Sequence, residues 1–151
     1  KWSPDGQQFV YSSCLGSKCG VIRSNIDGTN PAILSDHPSD TNPEISPDGS
    51  AVVFMSKRSG DWKIYRVEID DGTITALTSD DASSGLPTWS PNGDKIAFVS
   101  NRDGQWAVWD MDPDGGNQRR LFTTGGPVDG IVQHDVANSR GWVEENIDWI
   151  P

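Results

Sequence analysis

Cys14 and Cys19 are the side chains best placed to do chemistry, and bonded to each other they would make a short-range disulfide. As thiolates they would supply two of the four ligands of a structural zinc site, with no further Cys or His motif to supply the rest. The acidic turns at Asp27-Gly28, Asp70-Asp71-Gly72, Asp110, Asp112 and Asp114-Gly115 admit either calcium or plain turn chemistry. In the second reading Asp caps the turn and Gly supplies a positive φ. None of these turns follows the twelve-residue loop closed by a bidentate Glu. The only histidines are His37 and His134, and His134-Asp135 is adjacent in sequence, which is not triad geometry. No Gly-x-Ser-x-Gly elbow marks a nucleophile. The expectation is therefore a chain without catalytic residues or cofactor, calcium being the one candidate ion. Arg140 and Trp142 are of types enriched at interaction hot spots, and either contacts a partner there or, for Trp142, covers a sheet edge.

The elements that position these residues are repeats. Ser3-Pro4-Asp5-Gly6 returns at Ser46-Pro47-Asp48-Gly49 and as Ser90-Pro91-Asn92-Gly93, giving periods of 43 and 44 residues. In that frame Tyr11, Phe54 and Phe98 coincide, as do Val21, Ile64 and Val108. Each unit holds two apolar or β-branched runs joined by a polar, glycine-containing loop, which predicts a hairpin. A third run follows each Asp-Gly turn, at 31–34, 74–77 and 119–122, and a fourth precedes the Ser-Pro motifs at 42–45 and 86–89, with a counterpart at 146–150. Four strands in about 40 to 45 residues is the pattern of a propeller blade, so the fold class is all-β, with about three blades of four antiparallel strands. The chain is expected to be one partial propeller domain over 1–151, with approximate repeats 1–45, 46–89 and 90–151. Trp89 to Trp149 spans 60 residues against 44 for the preceding unit, so an inserted loop is expected at 126–145. Insertions of this kind gather on one face, often the binding face. Arg140 and Trp142 lie in it.

The frame also places the cysteines. Cys14 aligns with Lys57 and Asn101, and Cys19 with Trp62 and Trp106, positions that flank a hairpin loop on opposite strands. Such a pair is within disulfide reach, and a Cys14–Cys19 bond is expected to replace the tryptophan cover of the other units. Stable disulfides imply an oxidising compartment, so an extracytoplasmic location is expected; two free thiols in a cytosolic loop are the alternative. The net charge of −10 argues against nucleic acid, whose phosphates call for Lys and Arg clusters. No apolar run approaches the ~20 residues of a membrane span. Seven tryptophans are many for 151 residues. Trp2, Trp89 and Trp149 share one repeat position, which fits packing better than ligand stacking.

The run Trp-Ser-Pro-Asp/Asn-Gly, Ile-Ala-Phe-x-Ser-x-Arg-x-Gly, a Trp- or Tyr-bearing strand, Asp-x-Asp-Gly and Leu-Thr resembles the WD-like repeat of TolB-type β-propellers. It covers residues 1–125, is strongest at Thr88–Leu121, and departs from the pattern at the two cysteines. The resemblance implies six blades in an intact ring and a periplasmic or secreted binding module, sometimes the non-catalytic half of a serine peptidase. Lys1-Trp2 directly precedes the first Ser-Pro, and 146–151 repeats the missing strand, with Trp149 and Pro151 in register with Trp89 and Pro91. The chain, which lacks an initiator Met, is thus expected to be half of a six-bladed ring, or a unit whose copies share strands. A non-catalytic protein-binding or scaffold module follows, with a self-assembling structural protein or the propeller half of a peptidase as alternatives.

Overall fold

A computed structural model describes residues 1–125 and 147–149. The insertion expected at 126–145, with His134, Arg140 and Trp142, lies outside the described residues.

The Ser-Pro turns set the chain direction. In the second of them Ser46 Oγ donates to Asp48 (2.5 Å), Asp48 accepts the N–H of Ser50 (3.0 Å), and Gly49 N donates back to Ser46 O (2.8 Å). Gly49 completes the reversal at φ +76°, a conformation that costs glycine nothing. Each turn delivers the chain from one strand into its antiparallel neighbour, where alternation of apolar residues takes over.

The described residues form three antiparallel sheets and contain no helix. The first is β1 (Gln8–Leu15), β2 (Lys18–Asn25) and β3 (Ala32–Asp36) in that order. The second runs β4 (Thr41–Ile45), β5 (Ala51–Ser56), β6 (Lys63–Glu68) and β7 (Ile74–Ala76). The third runs β8 (Ser84–Trp89), β9 (Ile96–Ser100), β10 (Ala107–Met111) and β11 (Arg119–Thr123). This is the layout of partial propeller blades, with each strand before a Ser-Pro pairing with the strand after it. Lys1-Trp2 takes the corresponding place beside β1: Trp2 bridges Phe9, and Val10 N donates to Lys1 O (2.9 Å). The closing strand expected at 146–150 is not seen in its described part. Ile147–Trp149 lie in no strand, and Trp2 holds the place beside β1 through its bridge to Phe9. Asp148 instead pairs with Lys1 Nζ (2.8 Å), and Trp149 Nε1 donates to Thr88 O (3.3 Å).

Strand alternation gives every sheet two faces, and successive sheets stack through them. Val10 and Val21 of the first sheet meet Ile45, Val52, Phe54, Tyr65 and Val67 of the second. Val53 and Ile64 on the opposite face of the second meet Trp89, Ile96, Phe98 and Met111 of the third. A third cluster joins Met55, Leu86 and Val99, with Trp62, Trp106 and Ile147 packed against it. Burial of such side chains contributes roughly 1.5–3 kcal/mol each, which makes the inter-sheet joints the main source of stability. Gly20 marks the closest backbone approach: a Cβ there would collide with Ser35 O, where β2 and β3 lose register at Val21/Ile22.

Candidate functional site

The described surface is not uniform in its strand edges. The inner strands β4 and β8 each carry a proline, in Asn42-Pro43-Glu44 and Leu86-Pro87-Thr88, and Pro cannot donate to a ladder. The residues before them, Asn42 and Leu86, occupy equivalent repeat positions and adopt φ +50° and +53°. Both sites break register, between Thr41 and Glu44 and between Gly85 and Thr88. Asn tolerates the left-handed region; a bulky Leu there costs about 1–2 kcal/mol and is held by its buried packing on Met55 and Val99. Bulges of this kind re-aim side chains and stop further strand pairing.

These bulges line a groove of about 350 Å³, whose walls include Lys1, Tyr11, Asn42, Glu44, Leu86 and Ile147. Glu44 organises it. Its Oε1 accepts Thr88 Oγ1 (3.2 Å) and Trp89 N (3.1 Å), and its Oε2 lies 3.4 Å from Lys1 Nζ. Burial pulls the Lys1 ammonium down, but the hydrogen bond to Asp148 and the charges of Glu44 and Asp148 leave it above the ordinary lysine value. The groove thus offers hydroxyls, a carboxylate already committed to neighbours, and apolar walls, a combination suited to holding a ligand by shape and hydrogen bonds.

Elsewhere, a serine, a histidine and an aspartate converge without forming a triad. Ser39 Oγ is 2.8 Å from His37 Nδ1, and Asp40 Oδ1 is 4.0 Å from the same ring nitrogen. A triad needs the carboxylate on the other nitrogen. Asp40 is buried and is held by Arg58 Nη2 (2.6 Å) and Ser35 Oγ (2.6 Å). The Arg58 guanidinium stacks on Phe54 (5.3 Å) and Tyr65 (4.9 Å). Arg102 repeats the arrangement on Phe98 (5.0 Å) and Trp109 (4.8 Å), bonding Ser84 Oγ and pairing with Asp80 (3.1 Å). Each arginine ties its own sheet to the segment that enters it. The recurring Ser-x-Arg was the available signal for these ties, and the x-Pro pairs were the signal for the bulges.

Cys14 and Cys19 face each other across β1 and β2 and are joined by a disulfide, their Cα atoms 4.0 Å apart. The acidic turns are occupied by their own chain. Asp27 accepts Thr29 N (2.9 Å) and Thr29 Oγ1 (2.6 Å), and Asp71 accepts Thr73 N (2.8 Å), bonds that hold both carboxyls below the usual range. Asp110 is buried in a bidentate pair with Arg119, Asp112 takes Lys95 and Asn117, and Asp114 caps Gly116 N. Among the described residues no three His, Cys, Asp or Glu side chains are grouped to hold a metal ion. No helix among them is long and apolar enough to cross a membrane.

A family model described as the TolB β-propeller domain matches residues 1–135. An uncharacterized protein of Agrobacterium fabrum is 33% identical over 70 residues, which is 46% of this chain and 24% of the relative. A TolB-type structure from Agrobacterium tumefaciens is 32% identical with a TM-score of 0.69, covering 81% of this chain and 48% of that one. TolB from Acinetobacter baumannii superposes with a TM-score of 0.70 at 22% identity, over 82% of this chain and 31% of that one. Peptidase and lyase structures below 25% identity match as well, and at that level the likeness shows the fold alone. The chain therefore spans a quarter to a half of the length of these first relatives.

Proposed function

The chain belongs to the TolB β-propeller domain family, and from that premise we propose that it is part of a non-catalytic, extracytoplasmic propeller that binds a protein partner as a scaffold. The observation that carries this reading is the groove between the bulged inner strands. The edges of β4 and β8 that border it are broken at proline bulges, so a partner entering between them meets side chains, Tyr11, Asn42 and Glu44 among them. The Cys14–Cys19 disulfide supports the extracytoplasmic location, since such bonds persist in oxidising compartments. Arg140 and Trp142 remain proposed contact residues, and the proposed repeats stay 1–45, 46–89 and 90–151.

A photo-crosslinking residue at Tyr11, with one at the remote Asp71 turn as control, tests the reading. Adducts with a defined partner at position 11 alone support it. Adducts at both positions or at neither, or hydrolysis of peptide substrates by the purified chain, overturn it.

The self-assembling alternative draws on a different observation: β11 ends its sheet among the described residues, with Leu121 41% and Phe122 59% exposed. An apolar edge strand of that kind invites pairing with another copy. A solution mass that falls to the monomer on Phe122→Glu would favour it over the binding module.

A further inference from the structure

The third Ser-Pro turn differs from its two sisters in two side chains, since Asp94, which accepts the side-chain amide of residue 92, stands where they carry Gln7 and Ser50. Where Asp5 and Asp48 present a carboxylate, Asn92 presents an amide. In the sister turns the carboxylate accepts the serine hydroxyl (2.6 and 2.5 Å) and the N–H of Gln7 or Ser50 (3.0 Å each). Asn92 occupies the same seat. Its Oδ1 accepts Ser90 Oγ (2.8 Å) and Asp94 N (3.3 Å), and its Nδ2 donates to Asp94 Oδ2 (2.6 Å). The turn thus gives an amide the donors it gives a carboxylate.

Asn92 is exposed, and the next residue is Gly93, which has no Cβ to keep its nitrogen from the Asn92 Cγ. We propose that Asn92 is a spontaneous modification site, losing its side-chain amide to become the aspartate that the sister turns carry. The Gly93 nitrogen, having given its proton to water, bonds to Cγ. The Cγ–Nδ2 bond breaks, and the nitrogen leaves as ammonia after taking its proton from water. One water then opens the cyclic imide. The net change is amide plus water to acid plus ammonia, with no oxidant or reductant.

Negative charge develops on Oδ1 as the ring closes, where the Ser90 hydroxyl and the Asp94 N–H already donate, so the turn stabilises that charge as an oxyanion hole does. The same donors polarise Cγ when water opens the imide, and attack there gives the ordinary aspartyl product. Attack at the other carbonyl would lengthen the main chain by one carbon and displace the bond from Gly93 N to Ser90 O (2.9 Å). That bond also sets the pace, because Gly93 must leave it to react. Conversion therefore proceeds through transient breaking of that one bond, while the Ser90 hydroxyl keeps its hold on Oδ1. The product places a second carboxylate in the groove of about 190 Å³ shared by Asp48, Arg66, Trp89 and Pro113, at the joint between the second and third sheets.

The test is peptide mapping by mass spectrometry of the folded chain, kept at mildly alkaline pH and physiological temperature, with Asn92→Asp as the product standard. The expected result is a gain of one mass unit at Asn92, co-eluting with that standard, while Asn101 and Asn117, followed by Arg and Gln, keep their amides. An amide that persists at Asn92 while a synthetic Ser-Pro-Asn-Gly-Asp-Lys peptide loses its own would overturn the proposal. Predominance of the isoaspartyl isomer would overturn it too.

Discussion

The central hairpins of the first and second sheets close their outer ends by different means. In the second, β5 and β6 part at Ser56 and Lys63, and the loop is pinned by Arg58, which reaches Asp40 and Ser35 in the segments before it. In the first, pairing runs out to Leu15 and Lys18, with only two residues between them in the turn, and the Cys14–Cys19 bond fastens the two strands to each other. Leu15 sits where Arg58 and Arg102 sit in the later repeats and is 40% exposed. A covalent bond within one hairpin replaces a network that spans two sheets. Both devices fasten the loop, but only the arginine also ties neighbouring sheets together.

Replacing Arg58 should have the largest effect. Arg58→Ala leaves the fully buried Asp40 without its cation and removes the stack on Phe54 and Tyr65, a loss of about 3 kcal/mol in denaturant unfolding. Arg58→Lys should recover only part of it, since an ammonium neither forks nor stacks in the same way. The Cys14→Ser/Cys19→Ser double variant should lose about 2 kcal/mol, the closed loop being short. Limited proteolysis between Leu15 and Lys18 should rise in that variant while the inter-sheet joints stay protected. If instead the whole chain becomes labile, the disulfide also carries an inter-sheet tie, and the contrast fails.

The Ser-Pro turns differ from one another on a smaller energy scale. Asp48 is held at about 2, against an ordinary 3.8, by the Ser46 hydroxyl first and then by the N–H and hydroxyl of Ser50. A carboxyl depressed in the fold stabilises it fully above the ordinary value, and that stability is lost as pH falls from about 4 towards 2. Because Asp48 is exposed, solvent screening limits the effect to about 1 kcal/mol. Acid unfolding of Asp48→Asn should show a flatter profile in that window than the parent chain. Asn92→Asp should add a new titration to the acid profile but bring no net gain at neutral pH, because the Asp94 carboxylate that accepts from the amide nitrogen (2.6 Å) would then face a second carboxylate. Equal profiles for the two variants would mean that the turns are not equivalent.

Much of the fold was legible because the repeat is written in local chemistry. Ser-Pro-Asp-Gly specifies a turn through its own side chains, and Val52, Phe54 and their partners Tyr65 and Val67 alternate on one face whatever lies beyond it. The facing of Cys14 and Cys19 followed from the same frame. The candidate groove was not legible, because it depends on where β4, β8 and residues far along the chain meet. Asn42 and Leu86 gave no hint beyond a following proline, and a proline ordinarily pushes its predecessor towards extended backbone. Leu86 is left-handed only because Met55, Val99 and Ile147 pack around it.

By itself the sequence determined the repeat, the strands and the hairpin that the two cysteines close, since these rest on contacts a few residues apart. The tertiary structure alone decided that Arg58 reaches Ser35 of the first sheet and that Glu44 gathers Lys1, Thr88 and Trp89 around one groove. Those contacts join residues tens of positions apart, and only the stacking of one sheet's apolar face on the next brings them within reach.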